Sequence, residues 1–379
     1  MGQAKRIKTA LIGSGTISAW YMRNIINNFH IIEMVGCSDI IPERSAARAK
    51  EFNIRDMTNE EILNDKEIEI IINTTYPLSH YEVTKDALLA GKHVYSEKMI
   101  AVTLEEGKEL VDLAASKGLN FTIAPDTFLG AGWQAVRHAV DNGMIGETIS
   151  ALGVCVRPYH DTSDTLRERK SFVFSAGGGI PFDMGGYYLH NFINLFGPIN
   201  RVCGFAKART PNKKYVNPHH PKYGEEFTID SPNTMVGSLE FANGVYVSLT
   251  ITSEASLFLS PVLELHGTEG VLACFDPNEF NGNIHLCRTS NDPIPVSLLH
   301  SFVDEFRGVG VADMAYALKN NRKPRAHCEI GYHAFEAVHG IIESCETGKV
   351  YEMKSTCSRP AALRTGQFKG KMQESILDD

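Results

Sequence analysis

Up to Pro125 the apolar positions alternate between two rhythms. Nearly continuous apolar runs predict strands at Ile7–Ile12, Ile31–Ser38, Ile68–Asn73, His93–Ser96 and Asn120–Ala124. Between them, apolar residues three and four apart predict helices over Ser18–Phe29, Pro42–Phe52 (opened by its proline), His80–Ala90 and Leu104–Lys117. Strands without polar alternation are buried on both faces. Alternating with helices, they predict a parallel sheet covered on both sides and joined by right-handed crossovers.

Beyond Pro125 the rhythm changes. A helix is predicted over Ala131–Asn142. Longer β-rich stretches come next at Ile149–Val156, Arg201–Lys207, Met235–Phe241, Val245–Thr252, Leu263–Gly267 and Ile284–Arg288, with turns such as Ala242-Asn243-Gly244 between them. Helices are expected at Tyr187–Phe196, Ser297–Lys319 (broken near Gly308–Gly310) and Tyr332–Thr347. The fold class is therefore α/β: a doubly wound parallel sheet, then an α+β domain with a large open, mostly antiparallel sheet. The expected boundaries are 1–126 and 127–364, with a polar tail over 365–379 that should fray.

Composition narrows the function classes. The chain has 379 residues, 43% apolar and 22% charged, which is ordinary globular usage. A net charge of −8 offers no footprint for nucleic acid or an anionic membrane. No apolar run reaches the ~18 residues of a bilayer span, and the N-terminus lacks an export signal core. The 8 cysteines include no CxxC pair and read as reduced thiols in a cytoplasmic protein.

The first strand runs into Gly13-Ser14-Gly15-Thr16-Ile17-Ser18, which opens the first helix. Gly13 allows a tight turn, and Gly15 lets the backbone approach a pyrophosphate at the helix N-terminus, with Thr16 and Ile17 in the same turn. Asp39 ends the second strand, where a carboxylate accepts from ribose hydroxyls and repels a 2′-phosphate. This points to NAD rather than NADP. Asn73, Thr74 and Thr75 follow the third long strand and are candidate contacts on the nicotinamide side. The competing reading makes Asp39 an ordinary turn residue and Thr75 a helix cap.

Candidate chemistry lies at two places. Glu97-Lys98 ends the strand His93–Ser96, where a lysine can polarise a carbonyl or, with a lowered pKa, take a hydroxyl proton. Gly177-Gly178-Gly179-Ile180-Pro181-Phe182-Asp183-Met184-Gly185-Gly186-Tyr187 places Asp183 and Tyr187 one helical turn apart on a shared face. A carboxylate and a phenol there can bind polyol hydroxyls. Alternatively, Asp183 is an N-cap and Tyr187 core. Arg157 and His160, after a second-domain strand, are candidate substrate contacts. Trp133 reads as helix core or a stacking ring. His219-His220 lacks ligand spacing, so no metal is expected.

Together the GSGTIS turn, the Glu97-Lys98 pair, the GG-x₃-D-x-G-x-Y run, Leu265-His266-Gly267-Thr268-Glu269-Gly270 and Ala312-Asp313-Met314-Ala315 resemble the glucose-fructose oxidoreductase / inositol dehydrogenase / rhizopine-catabolism (Gfo/Idh/MocA) family over nearly the whole chain. The resemblance implies a Rossmann NAD-binding domain and catalysis by Lys98, Asp183 and Tyr187. It also implies a homo-oligomer associating through the second sheet. Met99 stands where that family usually has proline, which leaves the Lys98 loop less constrained. Tyr187 matches the glucose-fructose oxidoreductase and dihydrodiol dehydrogenase branches, whereas inositol dehydrogenases carry histidine. The implied activity is NAD-dependent oxidation of a secondary hydroxyl of a sugar, glycoside or polyol, with a glycoside C3 hydroxyl preferred. An inositol or dihydrodiol dehydrogenase, or a non-catalytic nucleotide-binding regulator, are the alternatives.

Overall fold

Strand β1 (Ile7–Ile12) sits mid-sheet because its residues are apolar on both faces. In this computed structural model, which describes residues 6–157, 172–255, 259–288 and 292–379, it pairs with β2 (Ile32–Ser38) and β4 (Ile70–Asn73). With β3 (Arg55–Asp56), β5 (His93–Ser96) and β6 (Phe121–Ile123) these form a six-stranded sheet of order β3-β2-β1-β4-β5-β6, parallel throughout. Ile70, Ile71 and Ile72 are fully buried, as the unbroken apolar run requires. The intervening helices are α1 (Ser18–Asn28), α2 (Pro42–Phe52), α3 (Asn59–Asn64), α4 (His80–Leu89) and α5 (Leu104–Ser116). Thr103 and Glu106 close a capping box at the start of α5, which fixes where that helix begins. This is the dinucleotide-fold strand order, with the order reversing between β1 and β4.

By compactness the chain divides into two units. One comprises Met1–Gln134, Leu298–Tyr332 and Pro360–Asp379; the other comprises Ala135–Ser297 and His333–Arg359. Helix α6 (Ala131–Asp141) carries Trp133, whose side chain is entirely buried and thus core. The second unit is built on strands β7 (Thr148–Val156), β8 (Ile199–Lys207), β11 (Thr234–Phe241), β12 (Tyr246–Thr252), β13 (Leu259–Gly267), β14 (Val271–Ala273), β15 (His285–Cys287), β16 (Ile294–Pro295) and β17 (Tyr351–Glu352). They form a nine-stranded sheet ordered β16-β15-β14-β13-β7-β12-β11-β8-β17. Only β7 and β12 pair parallel; the other pairs are antiparallel. A separate hairpin joins β9 (Asn212–Lys214) to β10 (Glu226–Thr228).

Helix α7 (Ile180–Phe196) packs on this sheet. The Tyr188 hydroxyl donates to the Val154 carbonyl at 2.7 Å, and a Cβ on Gly153 would stand 2.8 Å from the Tyr188 ring. On β11 and β12 buried and more exposed residues alternate, and Phe205 of β8, Val236 and Tyr246 stay exposed on the single chain. Helix α7 begins earlier than sequence periodicity suggested. Gly185 lies inside it, where a Cβ would touch Ile251 and Val338 only at ordinary contact distance.

Two late segments complete the first unit. The helix expected over Ser297–Lys319 is confined to α8 (Val309–Asn320), since Gly308 takes a left-handed conformation (φ 107°) and starts it. Asp313 is fully buried in an ion cluster, its Oδ1 2.6 Å from Arg325 Nη1 and 2.7 Å from Arg322 Nη2. Helix α9 (Cys328–Thr347) comes next. The segment 127–364 is thus not one contiguous compact block: 298–332 groups with the parallel sheet. Residues 365–379, expected to fray, instead carry a 3₁₀ stretch (Gly370–Leu377) with Ile376 and Leu377 buried. Glu374 there accepts from the Ile31 amide at 3.2 Å. Apolar burial and carboxylate bonds hold a segment whose polarity suggested a free end. No helix of the described residues is long and apolar enough to cross a membrane.

Candidate active site

The turn after β1 is shaped for a close ligand. Gly13 has φ +102°, and a Cβ there would stand 2.6 Å from the Thr74 carbonyl carbon and the Thr75 nitrogen, so only glycine fits. A Cβ on Gly15 would meet nothing within 4 Å. The backbone is exposed at that point. No side chain caps α1 and its first turn holds no acid, so the positive end of the helix is uncompensated. Thr16 and Ile17 lie in this turn, and Ser18 Oγ closes it by donating to the Gly15 carbonyl at 2.6 Å. Arg48 of α2, not singled out from sequence, donates to the same carbonyl at 3.3 Å. These features fit a bound pyrophosphate.

Asp39 is half-buried at the end of β2. Its Oδ1 accepts from the Ile41 amide at 2.8 Å, the local turn bond that the competing reading named. Its Oδ2 makes no hydrogen bond among the described residues, so a ribose hydroxyl can still be met. Asn73 is fully buried. Its amide donates to the His80 carbonyl (3.1 Å) and to Thr84 Oγ1 (3.0 Å), while its Oδ1 accepts from Thr75 Oγ1 (2.7 Å). The Asn73 side chain therefore shapes the loop. Thr74 Oγ1 donates to the Gly13 carbonyl at 2.8 Å, tying the two strand-end loops together. The structure does not make Thr75 a cap for α4, which comes after Ser79.

Glu97 and Lys98 leave β5 half-buried. Glu97 Oε1 accepts from the Tyr21 hydroxyl at 2.6 Å and Oε2 from the Lys98 amide at 3.1 Å. Behind this pair, burial and the Glu97 charge push the Tyr21 phenol well up. Burial, with Asp126 and Glu97, does the same to Tyr95. Asp126 is itself buried, which pushes its carboxyl up to about 6 against the opposing Gly310 and Gly308 amides, bound at 3.0 and 2.9 Å. A carboxylate just past β6 thus holds the first turn of α8. The peptides Lys98–Met99 and Ala124–Pro125 are cis. His80, buried at the head of α4, places Nδ1 2.6 Å from the Met99 carbonyl.

In the second unit, Gly179 is the residue preceding α7. A Cβ on it would lie 2.4 Å from the Pro232 carbonyl oxygen. Asp183 is inside the first turn and donates its amide to the Gly179 carbonyl at 3.0 Å. It is not the N-cap, which removes the competing reading for that residue. Asp183 and Tyr187 are both largely buried on one helical face. Arg157, just past β7, forms an ion pair with Asp276 and points Nη1 at Met184 Sδ (3.6 Å), next to Asp183 in the helix. Burial pushes the neighbouring Cys155 thiol up to about 12, against the Arg157 charge. Asp276 was not flagged by sequence, since its partner is a distant residue. His160 lies outside the described residues.

Two family models match this chain. The oxidoreductase family NAD-binding Rossmann fold matches residues 7–124, and the GFO/IDH/MocA C-terminal domain matches 133–273. An uncharacterized oxidoreductase of Schizosaccharomyces pombe is 32% identical over 210 residues, 54% of this chain and 55% of that protein. A 1,5-anhydro-D-fructose reductase of Ensifer adhaerens is 28% identical over 268 residues, 69% of this chain and 74% of that protein. The matched region is about half the length of the fission-yeast relatives. A levoglucosan dehydrogenase solved with NADH superposes with TM-score 0.80 at 20% identity, covering 93% of this chain and 100% of that one. At that identity the likeness concerns the fold.

Proposed function

The chain belongs to the Gfo/Idh/MocA oxidoreductase family, and on that premise we propose that it is an NAD-dependent dehydrogenase oxidising a secondary hydroxyl of a neutral sugar or glycoside. The observation that carries this reading is Lys98, at the tip of β5 with its amide fixed by the Glu97 carboxylate. The turn at Gly13–Ser18 and Asp39 would hold NAD, which supplies the hydride acceptor. Lys98, as the amine, takes the hydroxyl proton while the carbinol C–H leaves with its electron pair. Asp183 and Tyr187 are proposed to hydrogen-bond substrate hydroxyls. The names of the anhydrofructose reductase and the levoglucosan dehydrogenase favour a cyclic sugar over a simple alcohol.

Within this class a glycoside C3 hydroxyl, giving a 3-keto sugar, is the preferred substrate. Neutrality follows from Arg157. Its guanidinium is already compensated by Asp276, so it offers oriented N–H donors to hydroxyls with little net attraction for a carboxylate. The exposed face of the second sheet is proposed to pair with another copy of the chain, covering Phe205 and Tyr246.

The test is a panel of glycosides, free sugars, inositols and sugar acids with NAD, read by the near-ultraviolet absorbance of the reduced nicotinamide, with the product carbonyl located by NMR. Turnover of neutral glycosides to 3-keto products is expected. Asp276→Asn should shift kcat/KM toward sugar acids, because it uncovers the arginine charge. Turnover confined to inositols would replace the substrate, and NAD binding without turnover of any member would overturn the dehydrogenase.

A further inference from the structure

We propose that His80 is a positioning residue that fixes Lys98 through the carbonyl of Met99. The inference rests on the role given to Lys98 above. His80 is the first residue of α4 and is 1% exposed. Its ring joins the two loops that carry the candidate chemistry. Nδ1 lies 2.6 Å from the carbonyl of Met99, directly after Lys98, and Nε2 lies 3.1 Å from the carbonyl of Thr75. The backbone of His80 is itself held in place, because its carbonyl accepts from the Asn73 side-chain amide at 3.1 Å.

Lys98 is gripped on both sides. Its own amide donates to Glu97 Oε2 at 3.1 Å, and the Glu97 amide donates to the Asn73 carbonyl at 2.8 Å. On the far side the restraint is the imidazole bond to Met99. Methionine has no ring to fix φ, so the backbone after Lys98 depends on an outside partner. A ring protonated on both nitrogens donates to both carbonyls; a neutral imidazole has one N–H, and the shorter contact places it on Nδ1, leaving Nε2 without a proton to give Thr75. Burial pushes the ring's pKa down and Lys98 adds to that, while the Met99 and Thr75 carbonyls and Glu97 push it back up. In either protonation state Nδ1 donates to Met99.

The two arms can be separated, because an asparagine amide reaches where Nδ1 stands and a glutamine amide reaches where Nε2 stands. His80→Asn keeps the tie to Met99, and His80→Gln keeps the tie to Thr75. A displacement of about 1 Å at a reacting group costs on the order of 10²-fold in rate. His80→Gln should therefore lose roughly 10- to 100-fold in kcat with NAD affinity nearly unchanged. His80→Asn should hold kcat within a few-fold, with NAD affinity also nearly unchanged. Rates are taken per NADH-binding site by fluorescence titration, so a variant that is only less stable loses amplitude and keeps its kcat.

A second measurement does not need turnover. The rate at which Lys98 is acylated by a lysine-directed reagent in the NAD-bound protein is followed by mass spectrometry. It should change several-fold in the Gln variant and stay put in the Asn variant. Equal kcat losses in both variants, or identical Lys98 acylation rates in all three proteins, overturn the proposal. An unmodified protein that turns over no sugar defeats the dehydrogenase reading alone, and the acylation rates still decide the role of His80.

Discussion

The strand-end loops of the parallel sheet and the start of α7 carry the same kind of residues but are held in opposite ways. Around Asn73 and Glu97 the polar groups are met within the strand-end loops of one sheet and the helix that opens beside them: Asn73 with Thr75 and His80, Thr74 with Gly13, Glu97 with Lys98 and Tyr21. Around Asp183 the supports come from strands and loops outside its own helix. Gly179 rests on Pro232, Tyr188 on Val154, and Arg157 on Asp276. Local closure yields a loop whose shape survives substitution elsewhere. Closure by distant strands yields a site that exists only once the second sheet has formed, and that should respond to changes in residues with no chemistry of their own.

Lys98→Met tests the locally closed side most severely. It should leave NAD binding intact and lower turnover ~10²–10⁴-fold, the span typical of a lost acid–base group. Isothermal titration beside steady-state kinetics decides it, and near-normal turnover would move proton transfer to another residue.

Asp126 offers the next largest effect, this time on stability. Its folded-state pKa, about 6, is raised above the unfolded value. Its contribution is therefore complete below about pH 4, where both states are protonated, and is lost as pH rises through about 6. The loss is on the order of 3 kcal/mol. Urea midpoints taken across this window should fall with pH for this group, and Asp126→Asn should flatten the slope. An unchanged slope would assign the titration elsewhere.

Tyr187→Phe probes the side built from distant contacts. Ring packing is retained and only the hydroxyl is lost, so kcat should drop by roughly tenfold or more while KM moves little. If Tyr187 is merely core, the variant stays fully active per folded molecule. The smallest effect belongs to Asp39→Ala. Removing one half-buried charge near the ribose should narrow the preference for NAD over NADP by about 1 kcal/mol, roughly fivefold. Equal dissociation constants for the two cofactors in the unmodified protein would already contradict the assignment.

The same contrast governs how far each side could be read from sequence. Pro42–Phe52 and His93–Ser96 appear with the expected bounds, since a proline at the first helical turn and a short apolar run are local signals. The glycine at 13 was legible because a tight turn demands that residue. Helix α7 was read too short because Gly185 and Gly186 imitate a turn, whereas both lie inside the helix. Asp276, Arg48 and Asp126 were invisible, since each acquires meaning from a partner that is remote in sequence. His80 sat inside a predicted helix, with nothing to show that its ring faces two carbonyls. The helix broken at Gly308 was half legible: the glycine marked a discontinuity, but the carboxylate that binds the start of α8 lies just past β6, far back in the chain.

That carboxylate has a consequence for how the protein is made. Asp126 emerges early in synthesis, whereas the amides of Gly308 and Gly310 that it binds emerge long after it, once the intervening unit has been translated. Until then β6, the border strand of the sheet, lacks its bridge to His327, and Asp126 lacks its two donors. Such a sheet edge invites pairing with other chains. Expression of residues 1–134 alone should therefore give an aggregation-prone product, and adding the segments around α8 should relieve it. The first domain to leave the ribosome is among the last to be finished.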